Sequence, residues 1–231
     1  TTMLFALGQA FAAAGQRVIC TTTTRMYRPQ PLPGLLCSFP DNPAEATAPT
    51  EGFLFIARNP AAGEDPDKVH GYRPEDIDGL CRSGAAGRII VEADGAARRP
   101  LKAPAAHEPV IPACTRAVIA LIGLSCLRKP LGPETVFRPE LVAGLSGLRP
   151  GGEITPRTLA ALAVHPQGLF QNTPPGAARL LFCNQGELPG ALEGVLDLSS
   201  LLAGEHPGFL HGLYRGSLRK EGLKCLALPV E

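Results

Sequence analysis

The hydrophobic positions of this chain fall into short runs parted by polar, glycine- or proline-bearing stretches. Leu4, Leu7, Ala10 and Phe11 recur at helical spacing and Gly15 stands where such a helix stops, predicting a helix over residues 1–14. Residues 17–24, RVICTTTT, begin as a strand and end in four hydroxyls. A strand is predicted at 52–58, GFLFIAR. Pro74 suits a helix's first turn, Glu75 and Asp76 suit its positive end, and Ile77, Leu80 and Cys81 supply a buried face. Ile89, Ile90 and Val91 read as a buried strand, as does AVIALI at 117–122. Thr155 and Pro156 open a helix over 155–164; ARLLFC at 178–183 is a strand and 191–202 is helical. Strands are expected at 209–214 and 223–230. Residues 27–49 read as a proline-rich loop holding a short strand, and 124–150 as a connection. Strands alternating with helices predict an α/β fold with a parallel sheet and right-handed crossovers. No internal repeat or linker interrupts 1–231, so one domain is expected.

Composition narrows the function classes. With 45 % hydrophobic and 19 % charged residues the chain can bury a core. The net charge of +1 leaves no basic excess to displace counterions from a nucleic-acid backbone, which argues against nucleic-acid partners. No apolar run reaches the roughly 20 residues of a membrane helix. The seven cysteines stand singly, with no C-x-x-C, which fits free thiols in a reducing cytoplasm better than a disulfide frame or a zinc site. With 26 glycines and 24 prolines among periodic apolar segments, long ordered loops are expected rather than low complexity. The chain opens Thr1-Thr2-Met3 without a signal-peptide pattern and reads as starting inside a motif.

The candidate chemistry gathers at RIIVEADGAARRPLKAPAAHEPVIP, residues 88–112. Its apolar strand ends in Glu92 and Asp94, and in open α/β sheets ligands sit beyond the carboxyl ends of strands. P-loop nucleotide hydrolases hold magnesium with such an acid-ended strand. The loop that follows carries Arg98, Arg99, Lys102, His107 and Glu108 between Pro100, Pro104, Pro109 and Pro112, more charge and fixed φ than solubility requires. A helix opening on Thr1-Thr2 and followed by a strand matches the second half of a β–loop–helix–β unit. There a hydroxyl binds magnesium and amides at the helix start hold phosphates. A helix simply capped by threonine gives the same pattern. Likewise Thr22, Thr23 and Arg25 at the end of their strand either line a phosphate or magnesium site or reflect the β-propensity of threonine.

These blocks, namely TTMLFAL, VICTTTTRMY, VHGYRPEDID, VEADGAARRPLKAPAAHEPVIP, VIALIGL, VFRPE, ITPRTLAALAVHPQGLF and LLFCNQGE, resemble the YqeC-like family of selenium-dependent hydroxylase accessory proteins over nearly the whole chain. The resemblance implies a three-layer P-loop NTPase-like α/β domain, a mainly parallel sheet flanked by helices. The first strand and the phosphate loop's glycines and lysine are missing from this chain. It implies ATP or GTP with Mg2+, and a role in maturing selenium-dependent molybdenum hydroxylases or their molybdenum cofactor. Thr1 and Thr2 match the end of the phosphate loop, Glu92 and Asp94 the acidic strand end, and Lys102, His107 and Glu108 the proline-bound loop. Asn184 matches a base-recognition position, but here it opens Asn-Gln-Gly-Glu, and the missing lysine puts guanine specificity in doubt.

The expected chemistry is NTP hydrolysis or phosphoryl transfer, with Thr1 and Asp94 on the metal and Glu92 orienting water. Arg98, Arg99 or Lys102 neutralise phosphoryl charge. His107 and Glu108 bind a second substrate, or His107 is an ordinary loop histidine. The alternative is a non-catalytic molybdenum-cofactor carrier that docks to a hydroxylase.

Overall fold

The computed structural model describes residues 1–218 and, as backbone, 225–228. The protein is mixed α/β, with mostly parallel sheets and flanking helices. It divides into two compact units: Thr1–Gly95 with Val110–Cys114, and Ala96–Pro109 with Thr115–Glu231.

The first unit contains α1 (Thr2–Ala13), β1 (Val18–Thr22), β2 (Met26–Tyr27), β3 (Leu35–Ser38), β4 (Phe53–Ile56), β5 (Lys68–Val69), α2 (Pro74–Ser83) and β6 (Arg88–Glu92). Its sheet runs β3-β4-β1-β6 with every pair parallel, and β2 and β5 form a separate antiparallel pair. Successive side chains of a strand point to opposite faces, and here both faces are covered. Val18, Cys20, Phe53 and Phe55 pack with Leu4 and Phe5 of α1. Ile19, Leu54 and Ile56 pack with Ile77 and Leu80 of α2. All five residues of β1 are therefore buried, which is why its apolar half carries no alternation. At Gly8 an added Cβ would stand 2.7 Å from Cys20 Sγ and 2.8 Å from the Phe53 ring, so α1 lies on the sheet at a distance only glycine permits.

The second unit contains β7 (Leu101–Lys102), β8 (Ala117–Gly123), β9 (Val136–Phe137), α3 (Pro139–Ser146), α4 (Pro156–Val164), β10 (Ala178–Asn184), α5 (Ala191–Glu205), β11 (Gly212–Gly216) and β12 (Cys225–Leu228). Its sheet runs β12-β11-β10-β8, parallel except for β12, and β7 pairs with β9 in parallel. Ile122, Leu181 and Leu213 of the sheet share one core with Leu159 and Leu162 of α4 and Val195, Leu198 and Leu202 of α5.

Four expectations shift. The 96–112 loop contains β7, and the 124–150 connection contains β9 and α3, the latter opened by Pro139. The strand expected at 209–214 forms at Gly212–Gly216. Of the strand expected at 223–230, Cys225–Leu228 forms, while residues 223–224 and 229–230 lie outside the described residues. Among the described residues no helix is long and apolar enough to cross a membrane.

Candidate functional site

The carboxyl ends of β1 and β6 are tied together. Their parallel register places Thr22 opposite Glu92. The Thr22 hydroxyl donates to the Glu92 carbonyl at 3.0 Å and accepts the Thr24 amide at 3.0 Å. The Thr23 amide also donates to the Glu92 carbonyl, at 3.1 Å, and the Thr23 hydroxyl donates to the Val110 carbonyl at 2.6 Å. Thr22 is fully buried, and both hydroxyls are taken up by backbone carbonyls around the strand ends. Gly71 presses on this turn from outside: the Tyr72 amide donates to the Thr22 carbonyl at 3.0 Å, and Arg58 donates twice to the Gly71 carbonyl.

The start of α1 meets the same strand end. Thr1 occupies the cap position but makes no side-chain capping bond. Its hydroxyl instead donates to Glu92 Oε1 at 3.1 Å, and its backbone nitrogen stands 2.6 Å from Oε2. Despite that proximity, Glu92 Oε2 is buried and receives no hydrogen bond of good geometry. The Glu92 side chain is only 11 % exposed. A hydroxyl and a carboxylate form an all-oxygen donor set that suits a hard divalent cation such as magnesium. Among the described residues no group of three or more His, Cys, Asp or Glu could hold a metal. That is compatible with magnesium, which takes one or two protein oxygens and keeps water or phosphate for the rest. Asp94 lies half-buried two residues past the strand, and Thr2 and Arg25 are exposed.

In the second unit, Lys102, His107 and Glu108 surround a different centre. The buried Lys102 Nζ donates to Glu108 Oε2 at 2.9 Å. Arg138 grips the same carboxylate with both terminal nitrogens, through Nη1 to Oε2 and through Nη2 to Oε1 at 3.1 Å. Both cations lie by the Phe137 ring, Lys102 Nζ at 5.5 Å and Arg138 Cζ at 4.6 Å from its centroid. Arg138 reaches this position from a left-handed backbone, φ 61°, immediately before Pro139 opens α3. The Ala105 amide also donates to Glu108 Oε2, at 3.1 Å. Gln171 clamps the loop by donating to the carbonyls of Ala105 (2.8 Å) and Glu108, and Asn172 donates to that of Pro109 at 3.3 Å. His107 is 76 % exposed, its Nε2 3.9 Å from Glu108 Oε1. Arg98 is exposed on a left-handed turn, φ 63°, and Arg99 is half-buried. Asn184, at the end of β10, accepts the Leu218 amide at 3.0 Å.

Sequence reasoning thus gathered residues that the fold assigns to separate units. Thr1, Thr22, Thr23, Glu92 and Asp94 belong to the first, and Arg98, Arg99, Lys102, His107, Glu108 and Asn184 to the second. It missed Arg138, Gln171 and Asn172. The signal for Arg138 was present in VFRPE, an arginine held by the turn before a helix-opening proline.

Hydrogen bonding by Arg138, working against partial burial and joined by Lys102 and the Ala105 amide, lowers the Glu108 carboxyl from 4.5 to about 2. A carboxylate depressed in the folded state stabilises above its unfolded pKa and loses that contribution as pH falls through the folded one. The triad's contribution, on the order of 2–3 kcal/mol, is therefore complete above about pH 4.5 and declines toward pH 2. Denaturation midpoints of the wild type and Glu108→Gln are expected to differ most near neutrality and to converge in acid. A gap independent of pH contradicts this.

The YqeC protein family model matches residues 1–140. The chain is 38 % identical over 186 residues to the uncharacterized protein YqeC of Escherichia coli (strain K12), covering 80 % of this chain and 72 % of that one. No solved structure matches. The match takes in the α1 start, the acid-ended β6 and the Lys102–Glu108 loop, and the chain belongs to the YqeC family.

Proposed function

We propose that the first unit is the magnesium and phosphate end of a P-loop-type nucleotide site, and that the protein is a cytoplasmic ATP- or GTP-binding accessory factor for maturing molybdenum hydroxylases or their cofactor. One observation carries the reading: the Thr1 hydroxyl leaves its helix uncapped and turns to the Glu92 carboxylate at the end of a parallel strand. A plain capping threonine would spend that hydroxyl on the helix amides. A Thr–acid pair at a helix start beside a strand's carboxyl end is the arrangement by which nucleotide enzymes hold magnesium. Thr1, Glu92 and Asp94 would hold the cation. When bound, it offsets the negative charge of the phosphates.

The amides at the start of α1 would orient a phosphate. Glu92, fixed by its strand and by the two threonine bonds to its carbonyl, keeps its carboxylate in one place. Within this reading Asp94→Asn separates two outcomes: steady phosphate release lost in the variant marks an NTPase or nucleotide-dependent transferase, and tight binding without release marks a carrier.

The test is calorimetric titration of the full-length protein with ATP and with GTP in the presence of magnesium. One nucleotide is expected to bind, with affinity at least about tenfold lower in Glu92→Gln, the loss of one charge-assisted contact. If neither nucleotide binds the wild type, the reading is wrong.

A further inference from the structure

The second residue pair that the fold builds is a dithiol. Asp78 and Cys81 lie three residues apart on α2, hence on one face of the helix. The Asp78 carboxylate accepts the Cys114 amide at 2.8 Å and the Ala113 amide at 3.3 Å, which pins the segment Val110–Cys114 over that face. Cys114 is thereby seated within hydrogen-bond reach of both the Asp78 carboxylate and the Cys81 thiol. Cys81, expected on the buried face of α2 with Ile77 and Leu80, is instead exposed, and Cys114 is partly so, unlike Cys20, Cys126 and Cys183, which are buried. The two thiols stand 33 positions apart in sequence, and the carboxylate clamp rather than chain proximity brings them together.

The geometry points to Cys81 and Cys114 as a reversible dithiol–disulfide site that takes low-molecular-weight disulfides as its oxidant. Cys81, on the exposed last turn of α2, attacks one sulfur of a glutathione-type disulfide. That S–S bond breaks, a mixed disulfide forms on Cys81 and one thiol leaves. Cys114 then gives its proton to solvent base and attacks the Cys81 sulfur. The protein disulfide forms and the second glutathione leaves as thiol. Two protein thiols are oxidised and one small disulfide is reduced to two thiols, so electrons balance.

Burial, together with the Asp78 carboxylate and Cys81, pushes the Cys114 thiol up to about 12, so it stays protonated at neutral pH and acts as the resolving partner. Partial burial alone would raise the Asp78 carboxyl, but the Cys114 amide and thiol and the Ala113 amide outweigh it and hold it below its usual value, keeping the clamp charged. The closed bridge locks Val110–Cys114 to α2. That segment includes the Val110 carbonyl that receives the Thr23 hydroxyl. The inference does not rest on nucleotide binding, and a chain that binds no nucleotide still closes the bridge.

The full chain is incubated with glutathione disulfide at about pH 8.5, where an ordinary thiol is half ionised, then mapped by non-reducing peptide mass spectrometry. A Cys81–Cys114 crosslink is expected, with two glutathione thiols released for each bridge. Cys37, exposed and remote in sequence, serves as the internal control and stops at the mixed disulfide. In Cys114→Ser, Cys81 retains glutathione. In Asp78→Asn, which keeps an oxygen for the two amides but removes the charge that holds the Cys114 thiol up, glutathione reaches Cys81 at the wild-type rate and closure quickens several-fold, a split that general destabilisation would not produce. Stable glutathione adducts on both Cys81 and Cys114 of the wild type, or no reaction at either, overturns the proposal.

Discussion

Glu108→Ala is expected to cost about 3–5 kcal/mol of folding stability, the usual consequence of leaving a buried charge without its partner. Lys102 has a side chain only 9 % exposed and cannot turn to water without opening the loop around it. Arg138, 24 % exposed, loses both of its bonds to the carboxylate, which weakens the hold on its left-handed backbone while its place by the Phe137 ring remains. Urea denaturation measures the effect as a lower midpoint. Pairing Lys102→Met with Glu108→Leu should recover a large part of the loss, because an apolar pair of similar volume replaces the ion pair. In a double-mutant cycle the two changes should couple by more than about 1 kcal/mol. Strict additivity would mean that the triad is a surface contact of little energetic weight.

Gly71→Ala is the second large effect. A Cβ there would stand 2.3 Å from the Thr23 carbonyl carbon, 2.5 Å from the Thr24 nitrogen and 2.6 Å from the Thr22 oxygen. All three are backbone atoms, so no side chain can rotate aside, and the turn after β1 must shift. Overpacking of this kind costs about 1–3 kcal/mol and more where backbone blocks relief. The displaced turn carries the Thr22 and Thr23 bonds to Glu92. The variant is therefore expected to lose stability and, on the proposed function, nucleotide affinity together. Gly144→Ala is the control: an added Cβ there meets nothing within 4 Å, and stability should be nearly unchanged. Equal melting behaviour of the two variants would remove the packing argument.

The elements that could be read in the chain are those with enough length for a period to show. α1, β1, α4, β8 and β10 formed where apolar spacing put them, and Thr155 and Pro156 marked the start of α4 to the residue. β7 and β9 are two residues each, too short for any alternation, and exist because they pair with one another across a long connection. α3 was hidden by the glycines and prolines around it, although Pro139 at its first position was a usable sign.

At the sites, residue types were legible and partners were not. Sequence reasoning set Thr1 and Asp94 on a metal with Glu92 orienting water; the direct bond of Thr1 to Glu92 was not read from the chain. Nor was the attachment of Glu108 to Arg138, because nothing local specifies a charge partner 30 residues away. Thr22 and Thr23 admitted two readings, ligand or strand. In the fold their hydroxyls serve the backbone of β6 and the Val110 segment.

The chain passes from one unit to the other after Gly95, after Pro109 and again after Cys114. During synthesis the ribosome therefore delivers Ala96–Pro109 before it delivers the five residues that complete the first unit. A nascent chain halted at residue 95 lacks the carbonyl for Thr23 and both amides for Asp78. The first unit is therefore complete only once residue 114 has been made, and a gene cut at residue 95 is expected to yield an incomplete first half rather than a portable module.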